Sequence, residues 1–116
     1  MGIVADFTAQ QGGHTHVQHT ALTLYADVLN VYDNPADLTQ FSGMEYTIAD
    51  KRGAVIVKKT LGHGITVDDS VIQITVSGNE LKRSGTHRHS LVMFDSKGQA
   101  LLPVFNVPLF ISPLAI

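Results

Sequence analysis

From Gly62 to Ser77 the chain alternates apolar and polar residues on both sides of a short acidic interruption. Ile65 and Val67 flank Thr66, Asp68-Asp69-Ser70 breaks the run, and Ile72, Ile74 and Val76 then alternate with Gln73 and Thr75. Successive side chains of a strand point to opposite faces, so this is a β-hairpin with one apolar and one polar face. Such a hairpin needs a second sheet to cover Ile72, Ile74 and Val76, and the remaining sequence must supply it.

It does so in a series of short runs. Ile3 to Gln10 reads as a first strand, closed by Gln11-Gly12-Gly13. Thr20 to Val28 alternates Leu22, Leu24, Ala26 and Val28 against Thr23, Tyr25 and Asp27. Asp33-Asn34-Pro35-Ala36-Asp37 is a turn cluster, because proline fixes one dihedral and the Asx side chains bond their own backbone. Met44, Tyr46 and Ile48 form the next apolar face, and Asp50-Lys51-Arg52-Gly53 turns the chain into Ala54 to Thr60. After the hairpin, Asn79 to Gly85 is polar with room for one helical turn. Thr86 to Phe94 is extended, Asp95-Ser96-Lys97-Gly98 is a hairpin turn, and Leu101 to Val107 is the last core strand. Seven to nine short strands with regular turn signals, and no stretch with a 3.6-residue apolar period, predict an all-β fold, a single antiparallel β-sandwich.

A chain of 116 residues makes one domain and buries a core without metal or disulfide staples; it contains no cysteine. The core is expected over about 20–107, with 1–19 and 108–116 in contacts with other chains. Eight basic and ten acidic residues are scattered singly or in pairs. The basic doublets Lys51-Arg52, Lys58-Lys59 and Lys82-Arg83 sit at turns or strand ends and make no phosphate-tracking stripe, so nucleic acid is not an expected partner. Nor is a membrane: no apolar run approaches a span, and the start lacks the basic head and apolar run of a signal peptide, which places synthesis in a cytoplasm. No charge follows Lys97. That end, with Leu109, Phe110, Ile111, Leu114 and Ile116, is therefore expected as an extended apolar arm covered by another chain. Pro103, Pro108 and Pro113 also point to a sheet edge or arm, since proline donates nothing to a ladder.

Histidines are the one pattern that suggests a site. His14 and His16, and again His87 and His89, are two residues apart, which on a strand puts both imidazoles of each pair on one face. A metal centre would need a further ligand from His19, Glu45 or Asp27. The plainer expectation is that His87 and His89 pack as amphipathic groups and that no metal or cofactor is bound. Catalytic patterns are missing: there is no Gly-x-Ser-x-Gly elbow and no phosphate-cradling loop leading into a helix, and Asp68-Asp69 is explained by its turn. Tyr25, Tyr32 and Tyr46 would suit a carbohydrate surface only weakly without tryptophan.

The succession Asp37-Leu38-Thr39, Gly43-Met44-Glu45-Tyr46-Thr47-Ile48, a charged turn, Val55 to Thr60 and Gly62-His63-Gly64-Ile65-Thr66-Val67 resembles the small immunoglobulin-like β-sandwich domain of tailed-bacteriophage structural proteins. The resemblance continues through Ile72 to Val76, Ser84-Gly85-Thr86 and Leu91 to Gly98. It covers about Thr20 to Val107 and lies in order and spacing, with no invariant chemical residue. It implies an immunoglobulin-like sandwich, a jelly roll being the other sandwich compatible with the strand count, and a virion protein without catalytic activity. A head cement or decoration protein binding the major capsid protein and its own copies as a dimer or trimer is the first expectation. A tail or baseplate adaptor or receptor-contacting domain is the second, and a metal-binding cupin-like protein the third. Along Thr86 to Phe94, Leu91 and Met93 share one face while Val92 and Phe94 share the other, so Val92 and Phe94 join the apolar end as expected interface residues.

Overall fold

A computed structural model of the chain describes residues 3–5, 14–30, 32–101 and 103–114. Among the described residues nine strands follow in chain order: β1 (Ile3–Ala5), β2 (His14–Val17), β3 (Leu22–Asn30), β4 (Gly43–Asp50), β5 (Val55–Leu61), β6 (Gly64–Asp68), β7 (Val71–Val76), β8 (Gly85–Phe94) and β9 (Phe105–Ser112). Single 3-10 turns lie at Leu38–Gln40 and Gly78–Glu80. The first is opened by Asp37, whose carboxylate accepts from the Thr39 amide and hydroxyl. The second is opened by a capping box between Ser77 and Glu80.

The hydrogen-bonded order is β1-β3-β7-β6-β5-β4-β8-β9-β2. Between β5 and β6 the link is only a two-residue parallel contact, Thr60 with Gly64 and Leu61 with Ile65. There the ladder folds over, leaving β1-β3-β7-β6 as one layer and β5-β4-β8-β9-β2 as the other, the arrangement of an immunoglobulin-like sandwich. One core joins the layers. Leu22, Ala26, Val28, Ile65, Ile72, Ile74 and Val76 come from the first, and Met44, Tyr46, Ile48, Val57, Leu91, Met93, Phe105, Leu109 and Ile111 from the second. The period-two alternation is thus spent as it should be, with the apolar face of every long strand turned to the other layer.

Two tight turns match their residues. Asp69 takes a left-handed φ of 54° between β6 and β7. Gly98 takes 79° after β8, where the Asp95 carboxylate accepts from the amides of Lys97 and Gln99.

The expected C-terminal arm is corrected. Residues 105–112 are β9, antiparallel to β8 from Gly85–Ile111 to Leu91–Phe105 and parallel to β2 from His14–Leu109 to Val17–Ser112. The last core strand therefore runs several residues later than Leu101 to Val107. Leu109 and Ile111 are fully buried in the chain's own core, so neither is an interface residue. Their apolar character is accounted for by the facing layer. Pro108 is tolerated inside β9 because the pairing with β2 begins one residue later, at Leu109. Of the N-terminal segment 1–19, residues 3–5 pair with β3 and residues 14–17 form an edge strand beside β9, while residues 1, 2 and 6–13 lie outside the described residues. Of the other expected interface residues, Val92 and Phe94 are half-buried on the outer face of β8. Phe110 is 44% and Leu114 40% exposed, and Ile116 lies outside the described residues. Phe94 pairs with Gly43 at one end of the sheet and Phe110 with Thr86 near the other. The exposed apolar groups therefore form separate patches.

Candidate functional site

The chain's most distinctive polar feature is inside it. His89 on β8 and Tyr46 on β4 both point inward and have no exposed surface. They occupy neighbouring positions on paired strands, since Tyr46 lies opposite Leu91 and Ile48 opposite His89. The Tyr46 Oη lies 2.7 Å from His89 Nδ1, and His89 Nε2 lies 2.7 Å from Nδ1 of His14 on β2. Phe105 on β9 packs edge-on against His89, with ring centroids 5.0 Å apart.

The direction of this chain follows from its inner end. A buried phenol must place its proton on an acceptor, and among the described residues that acceptor is His89 Nδ1. His89 then carries its own proton on Nε2 and donates it to His14 Nδ1. Every polar atom of Tyr46 and His89 is satisfied with both imidazoles neutral. Burial holds this state in place. It raises the Tyr46 pKa and pushes His89 down to about 3, with His14 as a secondary cause. His14 is also lowered by burial.

This arrangement settles how the histidines are used. Only His14 and His89 of the four candidates come together. His16 Nε2 pairs with Thr20 at the end of β2, and His87 is buried but turns Nδ1 to its own neighbour, the Gly85 carbonyl. None of the expected extra ligands joins them. Glu45 faces outward to Lys58 at 3.7 Å, Asp27 accepts from Ser70, and His19 sits in a turn with φ of 65°. Among the described residues no three metal-ligating groups cluster. The two imidazole nitrogens that meet are bonded to each other, and Tyr46 occupies the opposite nitrogen of His89, so the three side chains do not converge on a common point.

Other candidates disperse. Tyr25 and Tyr32 are 63% and 80% exposed while Tyr46 is fully buried, so Tyr46 shares no surface with the other two. Asp68 and Asp69, with Asp27, Asp37 and Ser70, border a wide cleft of about 680 Å³. Within it Asp37 is occupied as a cap and Asp27 by Ser70. The Tyr46–His89 link was not visible in the sequence. The available signal was a histidine and a tyrosine each on the apolar face of an alternating strand, but their contact depends on the β4–β8 register.

No family model matches the chain, and no curated protein does. Solved structures do. A structure of fibronectin(III)-like modules of CbhA from Clostridium thermocellum aligns over 98% of this chain and 100% of that one, with a TM-score of 0.50 and 12% identity. CopC from Methylosinus trichosporium OB3b aligns over 99% and 98%, with a TM-score of 0.58 and 12% identity. The endo-beta-1,4-mannanase from Thermotoga petrophila aligns over 97% of this chain but 20% of that one, with a TM-score of 0.59 and 8% identity. At such identities the likeness is one of fold, and the class it defines is the immunoglobulin- and fibronectin-like β-sandwich.

Proposed function

We propose that this chain is a structural module of a tailed-bacteriophage particle, in the first place a head decoration protein that binds the capsid shell. The observation that carries the reading is the ordered succession from Asp37-Leu38-Thr39 through the Asp50–Gly53 turn to the Asp95–Gly98 turn, which resembles the sandwich domain of such proteins. Each piece of that succession forms a cap, strand or turn of this fold. A structural role also suits the buried histidine and tyrosine chain, whose hydrogen-bonding capacity is directed inward to packing.

On this reading the exposed Phe110 and Leu114 at one end of the second layer, and Val92 and Phe94 at the other, meet capsid subunits or symmetry-related copies. Many copies on a shell add avidity to a modest individual interface. Immunogold labelling of intact virions with antibody against this chain is the test. Gold spread over the head is the expected result. Gold confined to the tail would replace decoration with the adaptor or receptor-contacting role, and virions without gold would remove the particle assignment altogether.

A further inference from the structure

Two basic stretches far apart in the sequence meet at one end of the sandwich. Lys51 and Arg52 are in the β4–β5 turn, Arg83 is in the loop that enters β8, and Arg88 is on the outer face of β8. Lys51, Arg52 and Arg83 line a cleft of about 270 Å³ together with the hydroxyl-bearing Ser84 and Thr86. An adjoining cleft of about 440 Å³ shares Lys51 and Thr86 and adds Arg88.

The charge in this cleft is weakly countered. Among the described residues the salt bridges engage only Lys58 and Lys59, with Glu45 and Glu80. The single carboxylate in the cleft wall, Asp50, accepts from the backbone amides of Arg52 and Ala54 and so closes its own turn. Those bonds hold it ionised, with a smaller contribution from the Arg52 charge. His87 also lines the cleft, but its Nδ1 is bonded to the Gly85 carbonyl. Arg88 donates to the Asn106 carbonyl, which fixes its guanidinium beside the cleft. Cationic forks, an ammonium and two hydroxyls around one concavity are the donor set that an oxyanion accepts.

We propose that this cleft is a binding site for an oxyanion group, a phosphate, sulfate or carboxylate carried on a larger ligand. Arg52 and Arg83 supply the charge-assisted hydrogen bonds, and Ser84 and Thr86 supply neutral ones. The site stands apart from the buried histidine chain, although Thr86 in its wall pairs with Phe110, and it does not depend on the virion reading.

The test is an amide chemical-shift titration of the full chain with sodium pyrophosphate, sodium sulfate and sodium citrate in turn, with sodium chloride as the control. Saturable shifts confined to residues 50–53 and 83–88 are expected with at least one oxyanion and not with chloride, weakening as salt is added. Pyrophosphate or sulfate alone would mark a phosphate- or sulfate-bearing ligand, and citrate alone a carboxylate-bearing one. Removing either guanidinium, Arg52→Ala or Arg83→Ala, should weaken binding about tenfold, the loss of one charge-assisted bond. Lys97→Ala, at the opposite end of β8, should leave it unchanged. Both arginines lie outside the core, so unaltered thermal unfolding will show that each variant is folded. Unsaturable shifts that follow ionic strength alone, or binding unaffected by both arginine variants, would overturn the proposal.

Discussion

Tyr46→Phe tests whether the buried polar chain is a satisfied network or a packing accident. The substitution removes one oxygen from a side chain with no exposed surface, keeps the ring, and opens almost no cavity. What it takes away is the proton donated to His89 Nδ1, 2.7 Å distant. That nitrogen then stays buried without a partner, a desolvation cost of about 1–3 kcal/mol. A domain of this size has roughly 5–15 kcal/mol of total stability, so the loss is measurable. His89→Leu should also destabilise, since it leaves the Tyr46 hydroxyl buried and unpaired. In the double variant neither orphan remains, so the two losses should fall short of additivity by about 1–2 kcal/mol. Equilibrium urea unfolding at neutral pH, with unchanged m-values, provides the four stabilities of the cycle. A Tyr46→Phe loss below about 0.5 kcal/mol together with strict additivity would refute the network.

Acid should act on the same group. His89 is held near 3 when folded and returns to the ordinary 6.5 when unfolded. The unfolded chain therefore binds the extra proton first, and stability should fall as the pH drops from about 6.5 toward 3, by roughly 5 kcal/mol in all if the fold persists that far. Denaturant midpoints across that range will check it, and a His89→Leu variant should have a flatter profile. Gly78→Ala should cost about 2 kcal/mol or more, because the added methyl would overlap the His19 backbone carbonyl where the β2–β3 turn crosses the second 3-10 turn; thermal unfolding measures this. Within β9, Leu109→Ala should destabilise by about 2–5 kcal/mol. Phe110→Ser, one residue further on the outer face, should stay within about 1 kcal/mol of the parent. Similar losses at both positions, read by urea unfolding, would contradict the assigned facing of β9.

How far the sequence could be read follows from the range of its signals. Alternation is local: each strand carries its own record of which face is buried, so β3, β4, β6, β7 and β8 were legible within a few residues. Turn chemistry is local too, and Asp95 to Gly98 and the polar stretch before β8 fell where their residues indicated. The C-terminal end misled because apolar character alone does not say which surface provides the cover. Leu109 and Ile111 are as apolar as Phe110 and Leu114, and only the pairing of β9 between β8 and β2 separates the buried pair from the exposed one.

The two candidate sites divide along the same line. By itself the sequence determined that His14, His16, His87 and His89 would stand in same-face pairs, because a strand's period of two requires it. It also determined an all-β sandwich and a chain without cysteine chemistry. Tertiary structure alone decided that one histidine from each pair meets the other, that Tyr46 completes the chain, and that Lys51, Arg52, Arg83 and Arg88 border adjoining clefts. The hydrogen bonds join residues 43 and 75 positions apart, and Arg52 and Arg83, which share a cleft, are 31 apart. They exist through strand register and the folding of one layer over the other, which are properties of the assembled sandwich and of no single segment.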